Sequence, residues 1–197
     1  PATLLDGSTR GTTYSARLSR DYFGDYEPII GSWDTIETND TRPLVTDNYG
    51  VSLRAYQTLP NGHELATISG VRWLHFDAKN DNDQTRFSIA RTGSLVDVRQ
   101  FSQEFRLSGD LSSSLDYQTG VYYMKIKTDT TSRNLYGADA GAFYATNAQY
   151  SQLNTPETIP FLQASLQDVF VRTNQLPESS SFAVFGQLNW HITDRLN

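Results

Sequence analysis

The regular alternation of apolar and polar residues is the feature that most constrains this chain. Phe101–Ser108, Leu115–Tyr123 and Ser181–Ile192 place apolar or aromatic side chains at most alternate positions, with Gln103, Thr119 and Gly186 as the exceptions. This period of two is that of a β-strand with one apolar and one polar face. Helical spacing is scarce, and no run approaches the ~18 apolar residues of a membrane-spanning helix. The sequence therefore predicts an all-β fold.

Six strands are predicted from this pattern, two of them with a less regular alternation. The less regular strands are Thr12–Arg20 and His63–Asp77. The others are Thr46–Thr58, Phe101–Ser108, Leu115–Lys127 and Ser181–Ile192, and further candidates lie at Ile29–Thr38 and Phe161–Arg172.

The connections between these strands alternate in length. Leu59–Gly62 and Gly109–Ser114 are short, whereas Asp21–Val45, Ala78–Gln100 and Thr128–Ser180 are long. Structureless loops above ~15 residues are uncommon in compact soluble domains. Short turns on one side and long loops on the other are typical of an outer-membrane barrel. The sequence thus predicts an antiparallel transmembrane β-barrel.

Aromatic residues on the apolar faces fall at two levels of the predicted barrel. Tyr49, Phe101, Tyr123 and Phe182 lie near the long-loop ends, and Tyr117 and Trp190 near the short-turn ends. Strand geometry puts Phe182 and Trp190 about 19 Å apart in depth at ~45° tilt. That separation roughly fits an apolar band of ~25 Å between aromatic girdles. The alternative is that these residues form the core of a soluble sheet.

Composition and motif content argue against several classes of function. A net charge of −6 disfavours nucleic-acid binding, and the absence of Cys excludes disulfides and thiolate metal sites. The three histidines have no zinc-ligand spacing, and no hydrolase, nucleotide or dinucleotide motif occurs. The acidic run Asp77–Asp83 fails the calcium-loop pattern because Lys79 replaces an oxygen ligand, so a solvated loop is expected. No enzyme activity, cofactor or metal is predicted.

Four segments resemble barrel strands of the TonB-dependent receptors. They are His63–Arg72 (HELATISGVR), Gln100–Ser108 (QFSQEFRLS), Leu115–Tyr123 (LDYQTGVYY) and Ser181–Leu196 (SFAVFGQLNWHITDRL). The resemblance implies that residues 1–197 are part of a single barrel domain of ~22 strands with a plugged lumen. The plug domain and the closing C-terminal strands would lie outside this segment.

The same resemblance implies a function and a location. Such receptors lie in the bacterial outer membrane, in contact with its lipid, and take up a ferric siderophore, cobalamin, haem or an oligosaccharide. The TonB complex supplies the energy through the plug domain. Two alternatives stay open: a passive porin-like barrel, and a soluble secreted β-protein that binds carbohydrate.

Two sets of candidate site residues follow. Polar residues predicted to face the lumen include Arg54, Glu104, Arg106 and Asp116. They could contact a plug or a substrate path, or simply form the wet interior of any wide barrel. The Thr128–Ser180 loop offers aromatic candidates for contact with a small-molecule or metal-chelate ligand, namely Tyr136, Phe143, Tyr144 and Tyr150. These rings could equally pack the loop against its neighbours.

Overall fold

The computed structural model of the chain describes residues 13–24, 26, 27, 29, 32, 34–41 and 43–192. Its strands are β1 (Leu44–Thr58), β2 (Glu64–Asp81), β3 (Ala90–Ser112), β4 (Leu115–Tyr136), β5 (Phe170–Gln175) and β6 (Glu178–Trp190). They form one sheet in the order β1–β2–β3–β4–β5, and β6 also pairs with β4. The sheet is open and mostly antiparallel, which confirms the all-β prediction.

The helices of the described residues are short. They are α1 (Tyr14–Leu18), α2 (Ala140–Tyr144), α3 (Asn147–Leu153) and α4 (Ile159–Ala164), with a 3₁₀-helix at Asp21–Phe23. No helix in the described part of the chain is long and apolar enough to span a membrane.

The chain divides into two compact units. The helical unit comprises Pro1–Leu44, Ala78–Ser94 and Ser132–Thr173, and the sheet unit comprises Val45–Asp77, Leu95–Thr131 and Asn174–Asn197. The short connections, 59–63, 113–114 and 176–177, belong to the sheet unit. The longer connections, 82–89 and 137–169, belong to the helical unit and are shorter than predicted because β2, β3 and β4 extend further. The prediction of a single barrel domain concerns the longer protein and stays a prediction.

The sheet unit has almost no buried core. Among its described residues only Ala66 and Thr131 are buried. Strand β1 is exposed along its whole length, and β6 is exposed except at two half-buried positions. A soluble antiparallel sheet normally packs one face on a core. Here both faces of the sheet unit are open.

Pairing between β4 and β6 assigns side chains to the two faces. Between Leu115 and Tyr123 one face carries four opposed apolar or aromatic pairs, interrupted by Thr119 opposite Gly186, and we name it the apolar face: Leu115–Trp190, Tyr117–Leu188, Val121–Val184 and Tyr123–Phe182. The other, polar face carries Asp116 opposite Asn189 and Gln118 opposite Gln187. On β3 the Phe101 ring belongs to the same face, 6.5 Å from that of Tyr123, and the next residue of β3 on this face, Gln103, accepts a hydrogen bond from the Ser69 hydroxyl of β2. On β1, Tyr49 stacks on Trp73 of β2 at 5.8 Å.

The helical unit has a hydrophobic core of its own. Its buried members are Leu18, Phe23, Tyr26, Ile89, Ala90, Ala142, Phe143, Tyr150 and Leu162. Edge-to-face ring contacts link three of its segments, with Phe23 at 4.8 Å from Phe87 and 6.5 Å from Phe143. Such pairs stabilise by ~0.5–1.5 kcal/mol beyond the area that they bury.

The predicted strand Thr12–Arg20 is wrong over its described residues. Helix α1 occupies most of it, and the Thr13 hydroxyl accepts a hydrogen bond from the Ala16 N–H at 3.2 Å. Threonine at this N-cap position satisfies a backbone donor that the first helical turn leaves unpaired. The i, i+4 pair Tyr14 and Leu18 then shares one side of the helix, where Leu18 is fully buried and the Tyr14 ring contacts Phe143.

The two additional strand candidates differ in how well they agree with the structure. The described residues of Ile29–Thr38 contain no strand. In Phe161–Arg172, helix α4 takes the first part and β5 begins at Phe170, so that candidate is right only at its end.

Candidate functional site

Charged and amide side chains form hydrogen-bonded pairs on the polar face. The Glu104 carboxylate accepts a hydrogen bond from Arg106 Nε at 3.0 Å, two residues along β3. On β4, Asp116 accepts from Asn189 Nδ2 at 2.6 Å and also pairs with His191 Nε2 at 2.6 Å. The pairing of each carboxylate with a donor makes this face a polar network.

The fourth predicted lumen residue, Arg54, belongs to the same face. A Cβ added to Gly50 would come within 2.9 Å of Arg72 Cγ, and one added to Gly70 would meet Ser102 Oγ at 2.9 Å. Alternate residues of a strand share a face. Arg54 lies four residues from Gly50 on β1 and therefore shares its face. On β3, Glu104 and Arg106 lie two and four residues from Ser102 and share its face. The structure thus places all four predicted residues on one face.

The four loop aromatics lie in the helical unit, mostly in packed positions. Phe143 is 5% exposed and Tyr150 is 9% exposed, and the Tyr150 hydroxyl accepts the Tyr22 N–H at 3.0 Å. Tyr136 contacts Tyr144 edge to face at 5.6 Å, and Tyr144 keeps 38% of its surface exposed. Phe143 and Tyr150 therefore stabilise the unit's core. Ligand contact at the four positions stays a prediction.

The sequence predicts a solvated loop over Asp77–Asp83, and this prediction is wrong for its last two acidic residues. Asp81 and Asp83 are buried. Asp81 accepts the N–H groups of Asp83 and Gln84, each at 3.1 Å, and Asp83 accepts those of Thr85 at 3.1 Å and Ala90 at 2.9 Å. Backbone donors in the turn replace water around these carboxylates. Burial raises the pKa of Asp83, although the hydrogen bond from the Thr85 hydroxyl opposes that shift.

A cavity of about 480 Å³ in the helical unit brings three cations together. We name it the basic pocket, and the residues that define it are Asp40, Lys79, Arg91, Arg133, Leu135 and Phe170. Asp40 is its one carboxylate and pairs with Arg91 Nε at 3.0 Å. The lining therefore combines three cations and one carboxylate with an apolar wall.

Backbone geometry explains how the cations fit side by side. A Cβ on Gly93 would lie 2.8 Å from the Ala78 carbonyl oxygen and 3.5 Å from Arg133 Nε and Nη2. Glycine at this position thus leaves room for the guanidinium. Sequence analysis did not predict this cluster, because Lys79, Arg91 and Arg133 belong to three different strands.

No match was found among protein-family models, curated proteins or solved structures. Within the described ranges, no group of three or more His, Asp and Glu side chains could hold a metal ion. The functional interpretation therefore depends on the two-faced sheet, the strand motifs and the folded helical unit.

Proposed function

We propose that this chain is part of the transmembrane β-barrel of a TonB-dependent receptor, which imports a scarce nutrient across a bacterial outer membrane. The observation that carries this proposal is the sheet unit, an antiparallel sheet with one apolar face, one polar face and almost no core.

A lipid bilayer would cover the apolar face. Phe182, Val184, Leu188 and Trp190 on β6 each expose more than 60% of their surface. Contiguous apolar patches of this kind are rare on soluble monomers. Just beyond Tyr123 the same face becomes charged, where Lys125 and Lys127 pair with Glu178 at 3.1 and 2.7 Å. This change from aromatic to charged residues is expected at a membrane interface.

The sheet edges indicate what else the barrel needs. Within the described residues, β1 pairs only with β2, and β6 pairs only with β4. Unpaired backbone groups are costly in hydrocarbon, which is why membrane-spanning sheets close into barrels. The proposal therefore includes further strands of the same protein beside both edges.

Two features favour an energy-coupled receptor over a passive porin. The helical unit is a folded body with its own hydrophobic core, which suits capture of a specific molecule. The four strand motifs resemble those of TonB-dependent receptors. The polar face would border the lumen, where the plug domain sits and passes on energy from the TonB complex.

Uptake by whole cells tests this function. Cells with and without the full protein would be supplied with iron chelates, cobalamin, haem or oligosaccharides, each with and without a protonophore. We expect protein-dependent uptake of one class, abolished when the proton gradient is dissipated. Uptake that survives the protonophore would identify a passive porin. A protein found monomeric in the aqueous fraction, and absent from the outer membrane, would identify a soluble binder.

A further inference from the structure

We propose that one end of the apolar face binds a lipid with a phosphate group on its headgroup. The cations that would hold the phosphate are Arg99, Lys125 and Lys127, which we name the cationic band. This inference rests on the proposed function, since it requires the apolar face to lie in a membrane. It adds the chemical class of the lipid that covers the end of this face farthest from the turn at 113–114.

The cationic band lies directly beyond the aromatic rings of the apolar face. The Phe101 and Tyr123 rings are neighbours on β3 and β4, and the two-residue connection makes these strands antiparallel. Arg99 precedes Phe101 by two residues, and Lys125 follows Tyr123 by two. Both cations therefore lie on the same face as the rings and on the same side of them, about 7 Å along the strands. Lys127 lies one step of two residues farther along β4.

Positive charge exceeds negative charge in the cationic band. Lys125 and Lys127 share a single carboxylate, that of Glu178, at 3.1 and 2.7 Å. Arg99 is exposed and forms no ion pair with any described residue. Three cations thus face one carboxylate. Guanidinium and ammonium groups both donate hydrogen bonds to phosphate oxygens, while their aliphatic stems cover apolar surface. A lipid phosphate would supply the missing negative charge, and its acyl chains would lie against the rings.

The other carboxylates of this face lie farther from the rings. They are Asp47, Asp77, Asp97 and Asp129. Asp97 precedes Arg99 by two residues and is already paired with His75 Nδ1 at 2.8 Å. Asp129 follows Lys127 by two residues. From the rings outward the face is therefore aromatic, then basic, then acidic. Carboxylates repel a phosphate, so this order holds the phosphate at the depth of the cationic band.

The opposite end of the apolar face lacks charged side chains. Between Tyr123 and the turn at 113–114, the described strands carry no Lys, Arg, Asp or Glu on this face. Its side chains there include Leu111, Leu115, Tyr117, Leu188 and Trp190. A phosphate has no cation to contact at that end. The proposal therefore assigns the phosphorylated lipid to one leaflet only.

Native mass spectrometry of the delipidated full protein in detergent tests the inference. The probes are dioleoyl phosphatidic acid and dioleoylglycerol, which differ only in the phosphate. We expect phosphatidic acid to bind more tightly by roughly tenfold or more, because each cation near a lipid surface contributes about fivefold. Arg99→Gln should weaken binding of phosphatidic acid by roughly fivefold. Excess inorganic phosphate should not displace the lipid, because it lacks the acyl chains that contact the apolar face.

Arg72→Gln is the matched control. Arg72 is an exposed arginine of the neighbouring strand β2, but its side chain lies over Gly50 on the polar face. The substitution removes the same charge from the opposite face and should leave lipid affinity unchanged. Three results would overturn the inference: equal binding of the two lipids, equal loss in the two variants, or displacement of phosphatidic acid by inorganic phosphate.

Failure of this inference is distinguishable from failure of the proposed function. Gradient-dependent nutrient uptake by a protein that binds both lipids equally would refute the lipid site and leave the receptor. Lipid binding that depends on Arg99, in a protein whose uptake ignores the proton gradient, would keep the lipid site and refute the receptor.

Discussion

Arg20 is a buried arginine whose donors satisfy the end of a helix. Its guanidinium donates to the carbonyl oxygens of Phe143 at 3.2 Å and Ala145 at 2.9 Å, and to Asn147 Oδ1 at 3.1 Å. It also lies 4.5 Å from the centre of the Tyr150 ring. The last carbonyl groups of a helix lack partners within it. Arg20 supplies those partners at the end of α2 and so joins two distant segments of the helical unit.

We predict that Arg20→Met lowers the free energy of unfolding of the helical unit by ~3 kcal/mol, because buried carbonyl groups lose a charged donor. Hydrogen exchange at residues 140–153 in the full protein would measure this change. The control, Arg86→Met, removes an exposed arginine that lies over the Tyr26 and Phe87 rings and should cost less than ~1 kcal/mol. Equal effects of the two substitutions would contradict the assigned role of Arg20.

At the scale of elements, the packing of α2 against α4 depends on a glycine. A Cβ on Gly141 would lie 1.8 Å from the backbone oxygen of Leu162. That oxygen belongs to a helix and cannot rotate away, so Gly141→Ala must separate the two helices. We predict a loss of ~2–3 kcal/mol in the stability of the helical unit, from strain and lost packing.

Hydrogen exchange of α4 would measure that loss. Gly186→Ala is the matched control, since the nearest atom to its new Cβ is 3.7 Å away, an ordinary contact. Unchanged exchange of α4 in Gly141→Ala would contradict the close approach of the two helices.

Elements with a long and regular pattern could be predicted from the sequence. Strand β4 begins at Leu115 as predicted, and β6 differs from its prediction by a few residues at each end. The first part of β3, Ala90–Gln100, is not predicted as a strand because polar residues occur on both of its faces. Helix α1, with five residues, is too short for a helical period to repeat, so cooperative packing decides its conformation.

At the scale of the whole molecule, the polar face and the basic pocket differ in what the sequence could show. Arg54, Glu104, Arg106 and Asp116 share a face because alternation within each strand fixes it. The basic pocket instead depends on how three strands are aligned with one another. Register between neighbouring strands is set by the apolar pattern and by turn geometry, and the apolar pattern of Ala90–Gln100 is too irregular to specify it.

The central claim is that the apolar face contacts lipid while the polar face does not, and adjacent residues of β6 test it. The chain has no Cys, so single cysteines at Val184 and Ala183 can carry a nitroxide label once any cysteine elsewhere in the full protein is replaced. Val184 pairs with Val121 on the apolar face, and Ala183 pairs with Tyr122 on the polar face.

The measurement is the collision rate of each label with oxygen and with a water-soluble nickel chelate in lipid vesicles. The account predicts that the label at position 184 collides mainly with oxygen, which dissolves in the bilayer, and the label at position 183 mainly with nickel. Equal access of nickel to both positions, or a protein that stays in water and does not insert, would contradict it.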